Sequence, residues 1–245
     1  MSQRTISDVV ISQIRNRWYK MVEPRRLRAA RKTWVKKEKP LISILIPTIG
    51  RWDLLHERAI KSIRRQTYKN VEIVVVHDSP KLQHYPDEPK LHWLVGPSNA
   101  LNRGLGQVKG DYIARMDDDD EWRPKMLETM LEFADKGNYE FVSAAAKGPD
   151  GAIMPYQHPL VGSVQTWLYR SYLKCFEYNL DSWRKTWDRN NEIDLYKRMY
   201  QAGVDFGYLP CVVCDIKPRP GVSDIGSKGF INEYERMHNP SKGRE

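Results

Sequence analysis

The sequence is poor in cysteine and has no long apolar run. Its 245 residues include three cysteines, an odd number that does not form a disulfide framework and favours a reducing compartment. No apolar run approaches the ~20 residues that a membrane-spanning helix needs. Arg4 and Asp8 interrupt the apolar stretch that a signal peptide would require. We therefore expect a globular cytoplasmic protein with room for one sizeable α/β domain.

Cys211 and Cys214 form a lone Cys-x-x-Cys pair. A structural zinc site needs four ligands, and the sequence has no second pair of this kind. We interpret the two cysteines as small buried residues on a strand.

The excess of positive charge is confined to the N-terminal segment. The formal net charge is +9, and residues 1–40 hold twelve Lys/Arg against three Asp/Glu, so the remaining residues are balanced. Apolar residues recur at helical spacing in this segment, which predicts an amphipathic basic helix that ends near Pro24. These residues are Val10, Ile14, Trp18 and Met21.

The partner of this basic arm stays open at this point. An anionic membrane surface would attract it and would place the protein at the inner face of a membrane. The phosphates of a nucleic acid would attract it equally. In the third alternative the helix packs on the main domain and its charges face water.

A strand–helix–strand unit begins at Leu41. An apolar run over 41–46 and a Val-rich run over 71–76 are typical of buried strands, and residues 53–65 between them carry a helical apolar stripe. Two strands connected in this way lie parallel in one sheet. Thr48 and Asp78 follow these strands, so both are expected at the carboxyl edge of the sheet, where ligands bind in open α/β folds.

Four consecutive carboxylates, Asp117 to Asp120, follow a third apolar strand at 112–116 and precede a helix opened by Pro124. Adjacent like charges repel one another, so such a run needs solvent or a cation to compensate it. A solvated acidic loop is the simplest interpretation. At the carboxyl edge of a sheet, the run instead predicts a divalent metal that holds a phosphorylated ligand.

Five motifs in order resemble those of the family 2 glycosyltransferases, which have the GT-A fold and use nucleoside-diphosphate sugars. The resemblance covers about Leu41 to Ser223. The motifs are Pro47-Thr48 with Arg51, Gln66-Thr67-Tyr68, Asp78 after a Val-rich strand, Asn102 in a small-residue helix, and an Asp-x-Asp-Asp block with Pro124. His77 replaces the first aspartate of the third motif.

The resemblance implies a mostly parallel mixed sheet flanked by helices, and a set of site residues. Asp119, with Asp117, would hold Mn²⁺ or Mg²⁺ through the Asp-x-Asp motif, and Asp117 would meet the ribose or this metal. Thr48 and Asp78 would contact the nucleotide base. The donor nucleotide site as a whole would comprise Pro47, Thr48, Arg51, Asp78, Asn102, Asp117 and Asp118.

The family places a catalytic base at the start of a later helix, and here Glu192 falls on that position. Asn191 replaces the glutamate that usually precedes the base, and a glutamate replaces the usual aspartate. Glutamate is competent as a base, although its extra methylene moves the carboxylate. Asp194 is the alternative base. A histidine that some relatives carry near the final strand is missing from residues 214–219, where Lys217 or Arg219 is a candidate for contacting the diphosphate.

The resulting hypothesis is a metal-dependent, inverting, non-processive hexosyltransferase that moves a sugar, with a UDP-sugar as the favoured donor, to a hydroxyl of a glycan, a lipid-linked sugar or a modified nucleic acid. The expected organisation is a helical arm over 1–40, a GT-A domain over 41–220 and a tail or lid over 221–245. A nucleotidyltransferase is disfavoured because no Gly-rich turn follows the first strand. The competing non-enzymatic hypothesis is a drifted GT-A module whose basic arm binds nucleic acid or an anionic membrane.

Overall fold

The computed structural model describes residues 5–77, 91–95, 100–154, 161–179 and 191–218. An eight-stranded mixed sheet forms the centre, with strand order β3-β2-β1-β4-β7-β6-β8-β5. The strands are β1 (Ile42–Thr48), β2 (Val71–His77), β3 (Leu91–Val95), β4 (Tyr112–Arg115), β5 (Glu121–Trp122), β6 (Phe141–Lys147), β7 (Leu168–Arg170) and β8 (Phe206–Asp215). This sheet confirms the predicted mixed α/β architecture.

The two halves of the sheet differ in strand direction. In the first half β3, β2, β1 and β4 are all parallel. In the second half β7 is antiparallel to both β4 and β6, β6 is parallel to β8, and β5 is antiparallel to β8. The parallel half therefore brings the carboxyl ends of β1, β2 and β4 together at one edge, as the sequence predicts.

Helices cover both faces of the sheet. They are α1 (Ile6–Thr33), α2 (Trp52–Leu54), a π-helical segment (Leu55–Ile60), α3 (Lys61–Arg64), α4 (Ala100–Gln107), α5 (Met126–Gly137) and α6 (Asn191–Gln201), with 3₁₀ turns at Val164–Thr166 and Ser171–Cys175. Side chains of α5 pack on one face, and those of α4 and α6 pack on the other.

The Gln-Thr-Tyr motif has a structural role. The buried side chain of Gln66 donates to the carbonyl of Arg123 at 2.8 Å and accepts from the backbone N–H of Leu127 at 3.0 Å. This amide satisfies an N–H in the first turn of α5 and so ties that helix to the end of α3. The helix begins at Met126, two residues beyond the predicted start at Pro124.

The prediction that the N-terminal helix ends near Pro24 is wrong. α1 continues through Pro24 to Thr33. A proline removes one helical hydrogen bond, and contacts on both sides of it hold the helix together here. Glu23 forms a buried ion pair with Arg198 of α6, and Leu27 is fully buried.

The prediction that Cys211 and Cys214 are both buried on a strand is wrong for Cys211. Both lie on β8, where Cys214 is buried and Cys211 is exposed. Along a strand, residues three apart point to opposite faces, so one face of β8 cannot bury both side chains.

Candidate active site

The carboxyl edge of the parallel strands positions the acidic block, which we define as Asp117 to Asp120. Thr48 at the end of β1 pairs with His77 at the end of β2, and Leu45 of β1 pairs with Arg115 of β4. The block therefore follows β4 directly at the edge where Thr48 lies. Asp78, which was predicted to contact the base, lies outside the described residues.

Asp118 ties the block to the loop after β1. It is fully buried and accepts a hydrogen bond of 2.6 Å from the hydroxyl of Thr48. The guanidinium of Arg51 binds the same carboxylate. Its Nε donates to Oδ2 of Asp118 at 3.2 Å, and its Nη2 forms an ion pair with Oδ1. Thr48 and Arg51 thus both contact Asp118, and all three are predicted donor-site residues. These contacts hold the loop of Pro47 to Arg51 against the block.

Asp119, the predicted metal ligand, is also held by arginine. Nη1 of Arg51 lies 2.8 Å from its Oδ2. Arg58 donates to the backbone carbonyl of Asp119 and to that of Pro218, each at 3.0 Å. One guanidinium therefore bridges Asp118 and Asp119, and a second fixes the backbone of the block.

The block holds more negative charge than its surroundings stabilise. Burial raises the pKa of Asp118 to about 6, although Arg51 opposes this and Asp119 adds to it. Burial also raises the pKa of Asp120 to about 8, with the charges of Asp117 and Asp119 adding. Asp120 accepts a hydrogen bond of 3.0 Å from the backbone N–H of Lys217.

Arg115 connects the acidic block to the predicted base. Its side chain is 3% exposed, and Nη1 lies 3.2 Å from Oδ1 of Asp117. Burial by itself lowers the pKa of Arg115, but the interactions with Asp117, Tyr178 and Glu192 outweigh burial and raise it. Glu192, in the first turn of α6, is therefore close enough to act on the same guanidinium as Asp117.

Asp194, the alternative base, faces another part of the molecule. It is 1% exposed and accepts from Nε of Arg198 at 2.7 Å. The same guanidinium pairs with Glu23 of α1 and lies 4.3 Å from the ring centroid of Tyr19. The geometry places Asp194 in the contact between α1 and α6.

Asn102 forms an amide clamp with the backbone of Tyr178. Its Nδ2 donates to the Tyr178 carbonyl at 2.9 Å, and its Oδ1 accepts from the Tyr178 N–H at 2.7 Å. Burial raises the pKa of Tyr178 to about 12; Arg115 opposes this rise and Glu192 adds to it. The clamp therefore fixes the backbone at Tyr178, and the donor contact of Asn102 stays a prediction.

Three residues of this site escaped the sequence-based prediction: Arg115, Tyr178 and Gln165. Nε2 of Gln165 donates to Oδ2 of Asp117 at 2.8 Å, and its backbone carbonyl accepts from Nε1 of Trp122 at 2.7 Å. Arg115 carried a usable signal, because an arginine inside a fully buried strand needs a buried anion. Gln165 and Tyr178 lie in a stretch with no clear periodicity, so no comparable signal marked them.

Carboxylate oxygens are the donors that Mg²⁺ and Mn²⁺ prefer, and a cation would favour the ionised forms of Asp118 and Asp120, which burial disfavours. Among the described residues, Oε1 of Gln165 is buried without a hydrogen-bond partner beside Asp117. The described part of the chain contains no ready-made group of three metal-ligating side chains. The residues thus fit a cation that shares its coordination shell with a phosphorylated ligand.

The comparisons with known proteins agree with this geometry. The model of "Glycosyl transferase family 2" matches residues 43–200, which is more than half of the chain. A Campylobacter jejuni protein named GalNAc(5)-diNAcBac-PP-undecaprenol beta-1,3-glucosyltransferase is 35% identical over 111 residues, covering 40% of this chain and 36% of the relative. The putative colanic acid biosynthesis glycosyl transferase WcaA of Escherichia coli is 37% identical over 107 residues, covering 39% and 38%.

Solved structures share the fold at low sequence identity. The S. aureus protein TarS 1-349 in complex with UDP-GlcNAc has a TM-score of 0.57 at 19% identity, covering 80% of this chain and 64% of that one. The mannosyltransferase PcManGT from Pyrobaculum calidifontis, in complex with GDP-Man and Mn²⁺, has a TM-score of 0.56 at 17% identity, covering 88% and 69%.

The chain spans less than two fifths of the length of the two curated relatives named here. No helix in the described ranges has the length and apolar character needed to cross a bilayer. The family match covers the first strand, the acidic block and α6, the three elements that build the site. The chain belongs to glycosyl transferase family 2, with the GT-A fold.

Proposed function

We propose that this chain is a metal-dependent glycosyltransferase domain that moves a sugar from a nucleoside-diphosphate donor to an acceptor hydroxyl with inversion, one sugar per encounter. The observation that carries the proposal is the acidic block at the carboxyl edge of the sheet, which Arg51 and Arg115 hold by ion pairs, with Glu192 near enough to Arg115 to raise its pKa. A displacement of this kind needs one group of charges at the leaving diphosphate and a separate base at the acceptor.

The donor would lie along the carboxyl edge, with its base near Thr48 and its diphosphate near Asp117 and Asp119. These two carboxylates would hold Mn²⁺ or Mg²⁺, which neutralises charge on the diphosphate leaving group when bound. A UDP-sugar is the favoured donor, and the UDP-GlcNAc complex of TarS is consistent with it. Mn²⁺ in the mannosyltransferase complex is consistent with the choice of metal.

Arg51 has a defined part in this proposal. Its guanidinium bridges Asp118 and Asp119, so it compensates charge while the donor is absent. Binding of a cation at Asp119 would release that end of the bridge, whereas the pairing with Asp118 would keep the loop after β1 in place.

Glu192 would accept the proton of the acceptor hydroxyl. A carboxylate in the first turn of α6 is chemically competent for this step. Asp194 is less suited to this role because Arg198 engages it in the contact with α1.

The acceptor proposed is a hydroxyl of a glycan or lipid-linked sugar. The name of the Campylobacter relative, which contains PP-undecaprenol, supports this class. The names of the relatives give no support to the nucleic-acid acceptor that the sequence left open.

Donor binding is the direct test. Thermal shift and calorimetry should detect one class of donor among UDP-, GDP- and dTDP-sugars, with Mn²⁺ or Mg²⁺ but not with EDTA. Asp119→Asn should abolish the metal-dependent part of binding, and Asp205→Asn, an exposed carboxylate elsewhere, is the matched control. Absence of nucleotide binding under every condition would contradict the proposal.

A further inference from the structure

α1 carries one continuous row of exposed side chains along its outward face. The row advances by three or four residues at each step, which keeps its members on one side of a helix. Its members are Val10, Ile14, Trp18, Met21, Arg25, Arg28 and Lys32. At 1.5 Å per residue the row is roughly 33 Å long. We call it the outward row.

The opposite face of α1 is anchored to the domain. Glu23 pairs with Arg198, Leu27 is fully buried, and Arg31 forms a bidentate pair with Glu140 and donates to the carbonyl of Gly203 at 2.6 Å. These contacts fix the rotation of α1 about its axis, so the outward row faces away from the protein.

The first half of the outward row is apolar and exposed to an unusual degree. The exposed fractions are 48% for Val10, 63% for Ile14, 44% for Trp18 and 54% for Met21. Ile6, at 85%, lies one turn before the row. Scattered exposed apolar residues are ordinary, but a contiguous stripe of them marks a surface that another phase or molecule covers.

The second half of the outward row is cationic. In the described part of the chain Arg25, Arg28 and Lys32 make no ion pair or hydrogen bond through their side chains. The whole excess of positive charge in the chain lies within residues 1–40. Apolar contact and anion attraction are thus presented on the same face, end to end along one helix.

We propose that α1 docks this protein on an anionic lipid bilayer through the outward row. In the plane of the interface, the apolar half would enter the boundary between head groups and acyl chains, and the basic half would lie against anionic head groups. A nucleic acid would attract the basic half but leave the apolar half in water. A second copy of the chain would pair the apolar halves and leave both basic halves uncompensated. The inference does not depend on glycosyl transfer, because every contact it uses lies outside the active site.

Vesicle co-sedimentation of the full chain tests this directly. Binding is expected to mixed phosphatidylcholine–phosphatidylglycerol vesicles, and much less to phosphatidylcholine alone. Binding should weaken as salt rises toward ~0.5 M, because the Debye length then falls to a few ångströms. Vesicles that quench tryptophan fluorescence should lower the fluorescence of the wild type more than that of Trp18→Gln.

Two sets of variants separate the halves of the row. Neutralising its basic half, with Arg25→Gln, Arg28→Gln and Lys32→Gln together, should weaken binding about fivefold per residue, or roughly a hundredfold in total. The control neutralises three exposed basic residues elsewhere and should keep nearly full binding. These are Arg65→Gln, Lys125→Gln and Lys136→Gln.

The apolar half has its own matched pair. Ile14→Gln with Trp18→Gln should weaken vesicle binding about tenfold or more, since insertion of these side chains is lost. Val35→Gln with Ile153→Gln, which alter apolar residues off the row that are at least as exposed, should not. Circular dichroism establishes that each variant is folded.

Three outcomes would overturn the inference. The first is equal loss of binding in the row and control variants. The second is equal binding to neutral and anionic vesicles, or to neither. The third is a dimer in sedimentation that the Ile14 and Trp18 changes dissociate without any effect on vesicles, which would identify a second copy as the partner.

Discussion

Asp120 offers a quantitative test of the charge imbalance in the acidic block. Its side chain is 2% exposed, and burial with the neighbouring charges of Asp117 and Asp119 raises its pKa to about 8, from an ordinary value of 3.8. A carboxyl whose folded-state pKa is raised favours folding when protonated. Its contribution to stability is present below pH 3.8 and is lost as the pH rises through about 8. The metal-free protein should therefore lose stability across this window.

The size of the effect follows from the shift. One pKa unit corresponds to about 1.4 kcal/mol, so a shift of roughly four units gives an upper bound of about 5–6 kcal/mol at pH 8. Relaxation and the sharing of charge within the block lower this, and we expect about 2–4 kcal/mol. That is a large part of the ~5–15 kcal/mol that stabilises a typical domain.

Asp120→Asn isolates this contribution. The amide keeps an oxygen to accept the N–H of Lys217, which lies 3.0 Å from Oδ1 in the wild type, but it carries no charge. Urea unfolding in EDTA should show that the wild type loses more stability than Asp120→Asn between about pH 5 and about pH 8. Asp205→Asn should keep the wild-type slope. Parallel pH dependences for the wild type and Asp120→Asn would refute the reasoning.

Three further substitutions test the packing around the site, each by urea unfolding. Arg115→Met should cost about 2–3 kcal/mol, because it removes a buried guanidinium from the partly exposed carboxylate of Asp117; Arg115→Lys should recover part of that loss, and equal losses would contradict the ion-pair argument. Gly104→Ala should cost about 1–3 kcal/mol, since its Cβ would lie 2.2 Å from Cδ1 of Leu45. Gly106→Ala, with nothing within 4 Å, should be neutral or stabilising, so a similar loss in both would contradict the packing argument. Asn102→Ala should cost about 1–3 kcal/mol by breaking the amide clamp, and a neutral result would contradict its role.

Periodicity predicted most of the parallel half of the sheet. The strands over 42–48 and 71–77 and the helix over 126–137 follow apolar patterns that local sequence encodes. β5, with two residues, and β7, with three, are too short to show a pattern, and their pairing depends on distant strands. Pro24 misled the prediction because the tertiary contacts of α1 override a local helix-breaking signal.

The position of the acidic block was predictable, but its electrostatic partners were not. Order along the chain placed Asp117 to Asp120 at the carboxyl edge beside Thr48. The bridge from Arg51 to the block spans 67 and 68 residues of sequence, and spacing carries no information about such contacts. For the same reason the sequence could not separate Glu192, near Arg115, from Asp194, which pairs with Arg198 toward α1.

Turnover tests the central claim most directly. We would measure the release of nucleoside diphosphate from the donor that binds, in Mn²⁺ and in EDTA, and would measure donor binding in parallel. The proposed mechanism predicts metal-dependent release by the wild type. Asp119→Asn should lose both metal-dependent binding and release, whereas Glu192→Gln should bind donor normally and release at least about a hundredfold less. Asp194→Asn should retain release if it remains folded. Full release by Glu192→Gln, or release that persists in EDTA, would contradict the assignment of base and metal at this site.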